Sequence, residues 1–139
     1  MANKPESAVT LKTPQEQQVA VRGYKDLRVW QKGMELAKLV YELTRTFPSD
    51  EKFGLVSQMR RAAVSVPSNL AEGQARNTTG EFVQFISHAE GSLAELDTQL
   101  RLSVSLGICP QVGTEPTAAL ITDLQKMLCG LRRRLTTDL

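Results

Sequence analysis

The chain has 139 residues, of which 41% are apolar and 23% charged, and its formal net charge is +2. These values fit one soluble globular domain that can bury a core without disulfides or metals, and the charge is too small to indicate a nucleic-acid partner by itself. Aromatic residues make up only 5% of the chain, so the core must be mainly aliphatic, which favours packed helices over a β-sandwich.

The sequence carries no signal for export, for a membrane or for a bound metal. No stretch reaches the ~18 uninterrupted apolar residues of a membrane span, and the N-terminus has no hydrophobic signal core. Cys109 and Cys129 stand far apart, with no C-x-x-C spacing and no nearby histidine. We therefore predict a cytoplasmic protein with two reduced thiols, no metal and no membrane contact.

Residues 1–23 differ in composition from the rest of the chain. They are polar, contain Pro5 and Pro14, and show no sustained apolar period. We predict a disordered tail over residues 1–23 and a single helical domain over residues 24–139.

The first helix is predicted to run from about Asp26, a plausible N-cap, to Thr46, because Pro48 prevents its continuation. Its apolar residues recur at three- and four-residue steps, as on one face of a helix. This stripe consists of Val29, Trp30, Gly33, Leu36, Ala37, Val40, Leu43 and Phe47.

The second helix is predicted to begin at Ser49, its N-cap, and to end at Gly73 or Ala75. Pro67 lies in its middle, where it removes a backbone hydrogen bond and crowds the preceding turn, so we expect a kink there. Its apolar stripe consists of Leu55, Met59, Ala62, Ala63, Val66 and Leu70.

Thr78 and Glu81 form a capping box, T-x-x-E, which marks the start of the third helix. Apolar residues then step by four and three over nearly three heptads, the pattern of bundle packing. They are Phe82, Ile86, Ala89, Leu93, Leu96 and Leu100. Gly107 is suited to the position after the helix, and Pro110 to its termination.

The fourth helix is predicted to begin at Thr114, with Pro116 in its first turn. Its apolar residues again step by three and four, at Ile121, Leu124, Leu128, Leu131 and Leu135. Four amphipathic helices with short connections predict an all-α, antiparallel, up-down-up-down four-helix bundle.

Polar residues stand among small apolar ones in the stretch from Gln58 to Gly73. If the second and third helices turn around at Asn77, residue i of one helix lies opposite roughly residue 156 − i of the other. This register places Arg61 opposite Glu95 and predicts a buried ion pair between them. The alternative is that both Arg60 and Arg61 face solvent or phosphate, and Arg60 is expected to be the exposed one.

The same register brings other polar residues of the two helices together. Asn69 is expected near Ser87, and Ser65 near Glu90 or Gly91. Glycine in a helix interior costs about 1 kcal/mol relative to alanine, and it is tolerated where another backbone comes close. Gly91 is therefore predicted to lie where the second helix approaches the third.

The residues needed for catalysis or for a di-metal site are missing. A di-metal bundle needs Glu-x-x-His on two helices, but the only histidine, His88, follows Phe85 at that spacing. No nucleophile motif accompanies His88, and no glycine-rich phosphate loop follows a strand. We expect an exposed His88, no cofactor and no enzymatic activity.

Charge is distributed unevenly. The segment from Thr78 to Leu106 carries four acidic residues and one arginine, a net charge of −3. Cations elsewhere are candidates for binding phosphates, although such runs are also typical of a solvated face. The candidates are Lys25, Arg28, Lys32, Arg60, Arg132, Arg133 and Arg134. No aromatic stacking platform is visible in the sequence, so base-specific recognition is not expected.

Three stretches resemble one known family. They are YKDLRVWQKGMELAKLVYELTRTFP, QMRRAAVSVPSNLAEG and EFVQFISHAEGSLAELDTQL, in that order along the chain. They are similar to the small bacterial four-helix-bundle family encoded in intervening sequences of large-subunit ribosomal RNA genes. The family's signature positions fall on Arg61, Ser65, Asn69, Glu72, Gly73, Gly91, Ser92 and Glu95, which this resemblance implies are structural or assembly residues.

The resemblance also implies how the chain functions. It implies a ring-like homopentamer related to the accessory variability protein of diversity-generating retroelements, which binds nucleic acid and a reverse transcriptase. We therefore expect a non-enzymatic homopentamer that binds RNA or DNA phosphates, as an accessory to a reverse transcriptase or to ribosomal RNA. The alternative is a protein-interaction scaffold with no affinity for nucleic acid.

Overall fold

The computed structural model describes residues 23–137 and contains four α-helices and no strand in that range. The helices are α1 (Arg28–Thr44), α2 (Ser57–Gln74), α3 (Thr79–Ser105) and α4 (Gln111–Thr137). Successive helices pack against each other and α4 packs against α1, which closes a four-helix bundle. The predicted all-helical fold is confirmed, and the predicted tail, except Gly23, lies outside the described residues.

The core lies along the apolar stripes that the sequence predicts. The buried residues of α3 include Phe82, Ile86, Ala89, Leu93, Leu96 and Leu100, and those of α4 include Ile121, Leu124, Leu128, Leu131 and Leu135. Met59, Ala62, Ala63, Val66 and Leu70 of α2 are buried against them. Burying a leucine side chain stabilises a fold by about 1.5–3 kcal/mol, so these stripes hold the four helices together.

The start and end of α3 agree with the sequence prediction. The hydroxyl of Thr78 accepts a hydrogen bond from the backbone N–H of Glu81 at 3.1 Å and lies 3.0 Å from the Glu81 carboxylate. Thr78 is therefore the N-cap, as predicted, but the Glu81 carboxylate accepts from the Thr78 hydroxyl and not from its backbone N–H, so the capping box is only half formed. Gly107 follows the helix with a φ of +76°, a left-handed conformation that glycine adopts without strain.

The predicted first residues of the other helices are wrong. Asp26 lies in a 3₁₀ turn before α1, and Ser49 lies in another 3₁₀ turn (Ser49–Glu51) before α2. Thr114 is buried inside α4, where its hydroxyl donates to the carbonyl of Gln111 at 2.7 Å. A side-chain cap is worth only about 1 kcal/mol, so the packing of neighbouring apolar residues decides where these helices begin.

The segment Lys52–Val56 precedes α2 and is kinked at Gly54. Gly54 leaves the helical conformation there, with φ −105° and ψ −107°, and the Glu51 carboxylate caps the segment by accepting the N–H of Leu55 at 3.3 Å. The segment directs Leu55 into the core and leaves the Phe53 side chain 88% exposed.

Two glycines allow the helices to approach closely. A Cβ on Gly73 would lie 2.5 Å from the Cβ of Phe85, and one on Gly33 would lie 3.3 Å from the Cβ of Pro67. Gly91 is exposed and a Cβ there would meet no atom within 4 Å, so the prediction of a close approach at Gly91 is wrong. The helix α2 continues through Pro67, and the kink stays a prediction.

Candidate nucleic-acid interface

The two adjacent arginines of α2 have roles opposite to those predicted. Arg61 and Glu95 are both exposed, and no ion pair joins them among residues 23–137, so the predicted buried pair is wrong. Arg60 is instead half-buried against α1. Its Nε donates to the hydroxyl of Thr44 at 2.8 Å, and its guanidinium lies 4.3 Å from the centroid of the Tyr41 ring.

Among the other polar residues of α2, Ser65 follows the predicted register closely, and the nearness of Asn69 to Ser87 stays a prediction. Ser65 and Ser92 hydrogen-bond to each other through their hydroxyls, one or two residues from the predicted partner of Ser65. The Asn69 amide donates to the carbonyl of Ser65 at 2.7 Å in its own helix, and Glu72 pairs with Arg76 at 2.8 Å. These contacts are structural within the protomer.

A groove of about 680 Å³, open to solvent, runs along the outer side of α2. Its lining contains three cationic side chains, three serine hydroxyls, two aromatic rings and no carboxylate. We call this the α2 groove, and it is formed by Tyr41, Lys52, Phe53, Val56, Ser57, Arg60, Arg61, Val64, Ser65 and Ser68. A surface of this charge attracts an anion such as a phosphate.

Arg60 is held in place in the α2 groove without a carboxylate partner. A guanidinium has five N–H donors, and here Nε donates to the Thr44 hydroxyl and Nη2 to the Tyr41 carbonyl at 3.4 Å. Both acceptors are neutral, so the positive charge of Arg60 is not compensated by these contacts. Because packing fixes the side chain, an anion that contacted Arg60 would cost it little further conformational entropy.

Most of the predicted phosphate-binding residues lie at one end of the bundle, where α1 begins and α4 ends. The exposed ones are Lys25, Arg28, Arg133 and Arg134. Lys32 lies 3.8 Å from the Glu35 carboxylate. This end therefore carries cations that phosphates can reach, together with carboxylates that compete for them.

Arg132 differs from its two neighbours because it is bound to α3. Its Nε donates to one oxygen of Glu90 at 2.8 Å and its Nη2 approaches the other at 3.4 Å. The hydrogen bond and the charge of Glu90 raise the pKa of Arg132 further above its usual range. Arg132 therefore connects α4 to α3, and its charge is compensated.

We expect a double-mutant cycle to detect this pair. With Arg132→Met and Glu90→Gln, the coupling free energy should be about 0.5–1 kcal/mol, the range for partly exposed pairs. It should decrease in 1 M salt, because screening weakens such pairs. Urea denaturation at constant protein concentration measures it.

The matched control is the same cycle with Arg61→Met and Glu95→Gln. Since these two side chains are exposed and do not form an ion pair, the coupling should be close to zero. A larger coupling for this second cycle than for the first would contradict the assignment.

The described part of the chain holds no cluster of three or more possible metal ligands, and none of its helices is long and apolar enough to cross a membrane. His88 is exposed, as predicted, with its ring edge-to-face on Phe85. Burial raises the pKa of the Cys109 thiol, which disfavours the reactive thiolate at neutral pH. No catalytic arrangement follows from these groups.

Sequence reasoning missed Lys52, Phe53 and Tyr41 as parts of a site. Phe53 and Gly54 belong to an apolar run that reads as helix interior, and Tyr41 lies next to the buried stripe of α1. The available signal was the glycine at position 54, because glycine inside a helical pattern indicates a local break.

Comparisons with known proteins agree with this architecture. A family model described as 23S rRNA-intervening sequence protein matches residues 25–130. A crystal structure of a protein of unknown function from the S23 ribosomal protein family of Bacteroides thetaiotaomicron superposes with a TM-score of 0.69. It is 20% identical, and the match covers 74% of this chain and 96% of that one, which supports a common fold alone. No curated protein matches the chain.

Proposed function

Because the chain belongs to the 23S rRNA-intervening sequence protein family, we propose that it is a non-enzymatic homo-oligomer that binds the phosphates of RNA or DNA. The observation that carries this proposal is the α2 groove, where Lys52, Arg60 and Arg61 face an open surface whose lining contains no carboxylate. Side-chain cations in such an arrangement bind the nucleic-acid backbone by displacing its counterions.

The cations at the end of the bundle supply a second contact surface in this proposal. Lys25, Arg28, Arg133 and Arg134 are exposed there, and Lys32 and Arg132 contribute less because carboxylates lie beside them.

The oligomer in this proposal is a homopentamer, the assembly that the family resemblance implies. Several large apolar side chains of the protomer are exposed, which supports association of some kind. Those outside the α2 groove are Met34, Leu102, Leu106 and Val112. Arg61, Ser65, Asn69, Glu72, Gly91, Ser92 and Glu95 are proposed to serve structure and assembly. The cellular role is that of a cytoplasmic accessory to ribosomal RNA or to a reverse transcriptase, as in diversity-generating retroelements.

A protein-interaction scaffold is the second candidate function. The exposed ring of Phe53 favours it, because an aromatic side chain this accessible is also a typical anchor of a protein contact. The two candidates differ in whether a nucleic acid binds.

A salt titration tests the proposal. Fluorescence anisotropy of a labelled RNA stem-loop and of a labelled DNA strand, from 50 to 300 mM salt, gives the affinity. We expect the logarithm of the binding constant to fall linearly with the logarithm of salt concentration, with a slope of about −2 to −3 for each protomer whose three groove cations are engaged. Light scattering after size exclusion gives the mass of the particle in solution, and the mass expected for the homopentamer is five times that of one protomer.

Two results would overturn these proposals separately. Absence of binding at 50 mM salt, or binding that salt does not change, would rule out the phosphate-binding function and leave the scaffold. A monomer at micromolar concentration would rule out the oligomer without affecting the binding result.

A further inference from the structure

The α2 groove combines two kinds of group that nucleic acids bind in different ways. Lys52 and Arg61 are exposed cations, which suit phosphates, whereas Phe53 presents an aromatic ring to solvent. The Lys52 ammonium lies 5.5 Å from the centroid of the Phe53 ring, so a cation and a ring are adjacent at one end of the groove. No stacking platform was expected from the sequence.

The position of Phe53 is imposed by the backbone. In the segment Lys52–Val56, kinked at Gly54, Leu55 lies in the core while Phe53, two residues earlier, is 88% exposed. The cap from Glu51 to the N–H of Leu55 fixes this segment. An apolar ring held this way in water is available to a partner with a flat apolar face of its own.

Bases differ in whether they can reach such a ring. In a duplex both faces of each internal base are covered by its neighbours, so only the phosphates are available to a surface groove. In a single strand the bases are free to stack on an aromatic side chain while cations contact the backbone. A lone phosphate or a duplex would use the cations of the α2 groove and leave Phe53 unused.

We propose that the α2 groove binds single-stranded nucleic acid, with an unpaired base stacked on Phe53 and the adjoining phosphates on Lys52 and Arg61. This inference rests on the proposed function and names its substrate class. The lining has no carboxylate, so its charged side chains are all cationic. Such a surface suits a polyanion better than it suits an ordinary protein surface, which carries both acidic and basic residues. Arg60, fixed over Tyr41, supplies a third cation along the same strand.

The variant Phe53→Leu tests the stacking contact, because it keeps an apolar side chain and removes the aromatic face. The probes are a labelled 12-nucleotide oligo(U) strand and a labelled 12-base-pair duplex at one salt concentration. We expect Phe53→Leu to weaken binding of the strand by about 5- to 100-fold, the range for one stacked base, and to leave duplex binding unchanged. Phe53→Trp should retain strand binding, and its fluorescence should be quenched by the strand above the background of Trp30.

Thr122→Ala is the control, since Thr122 is an exposed residue outside the α2 groove and is not among the apolar residues proposed to support association. It should change neither affinity. Circular dichroism checks that both variants fold, which the exposure of their side chains predicts.

Each other outcome overturns the inference in a distinguishable way. Equal binding of strand and duplex, unaffected by Phe53→Leu, would overturn it and leave the phosphate-binding function intact. If the unmodified protein binds neither the strand nor the duplex, both this inference and the proposed phosphate-binding function are wrong. A shift of Phe53→Leu to a smaller oligomer in light scattering, with strand affinity unchanged per protomer, would assign Phe53 to contact with a second copy of the chain.

Discussion

Replacing Gly73 with alanine is expected to destabilise the bundle by about 1–3 kcal/mol, the usual cost of overpacking. The new Cβ would lie 2.5 Å from the Cβ of Phe85 and 3.1 Å from Cδ1 of Phe82. The Cβ of Phe85 is attached directly to the backbone of α3, so a change of rotamer cannot move it away. The helices α2 and α3 must therefore separate at this level, and the better helix propensity of alanine offsets only part of the cost.

The matched control is Gly91→Ala, also inside a helix and expected to have the opposite effect. A Cβ at Gly91 meets no atom within 4 Å, so only the propensity gain of about 0.5–1 kcal/mol remains. Urea denaturation at constant protein concentration compares the two variants with the unmodified protein. Stabilisation by Gly73→Ala would contradict the close contact of the helices at that position. Destabilisation by Gly91→Ala would indicate that a neighbouring subunit covers that position.

The fold could be predicted because its main determinants are local and repeated. The apolar steps of α3 and α4 match the residues found buried, and the N-cap at Thr78 marks the start of α3. A heptad pattern specifies both the helix and the face that it buries. The estimated register of α2 on α3 was also close, since Ser65 meets Ser92.

The candidate site could be predicted only in part, because contacts with neighbouring helices determine which residues form it. Arg60 and Arg61 are adjacent in sequence and point about 100° apart on the helix, so either could face a partner. The opposing helix, α1, decides between them: it offers the Thr44 hydroxyl and the Tyr41 ring to Arg60 and leaves Arg61 exposed. The helical period of α2 contains no information about those acceptors.

The kink at Gly54 was the other feature that pattern reasoning missed. The sequence around Gly54 reads as the first turns of an amphipathic helix that begins at Ser49. In the structure Gly54 leaves the helical conformation and interrupts that helix, although Leu55 is buried as its stripe predicts and Phe53 lies outside. Periodicity assumes a constant 3.6 residues per turn, so it cannot locate a break of this kind.

Reversing two charges of the α2 groove is expected to have the largest effect on nucleic-acid binding. Lys52 and Arg61 are exposed, so the double variant Lys52→Glu/Arg61→Glu should fold normally. Each phosphate contact contributes about tenfold to affinity near 0.1 M salt through counterion release, so losing two should weaken binding by about 50-fold or more. The salt slope should decrease in magnitude by about 2 per bound protomer. Arg60 is left unchanged because it also connects α2 to α1.

Two control variants with the same change in net charge separate a local effect from a general one. Lys38→Glu/Lys126→Glu alters exposed residues outside the α2 groove, and Arg133→Glu/Arg134→Glu alters the basic end of the bundle. If the α2 groove is the principal site, the groove variant should lose at least ten times more affinity than the Lys38 and Lys126 variant, because contact is lost in addition to long-range attraction. A greater loss in the Arg133 and Arg134 variant would place the principal site at the end of the bundle, where the sequence locates most of the candidate cations. Equal losses in all three would mean that net charge alone attracts the nucleic acid, and neither surface would then be a specific site.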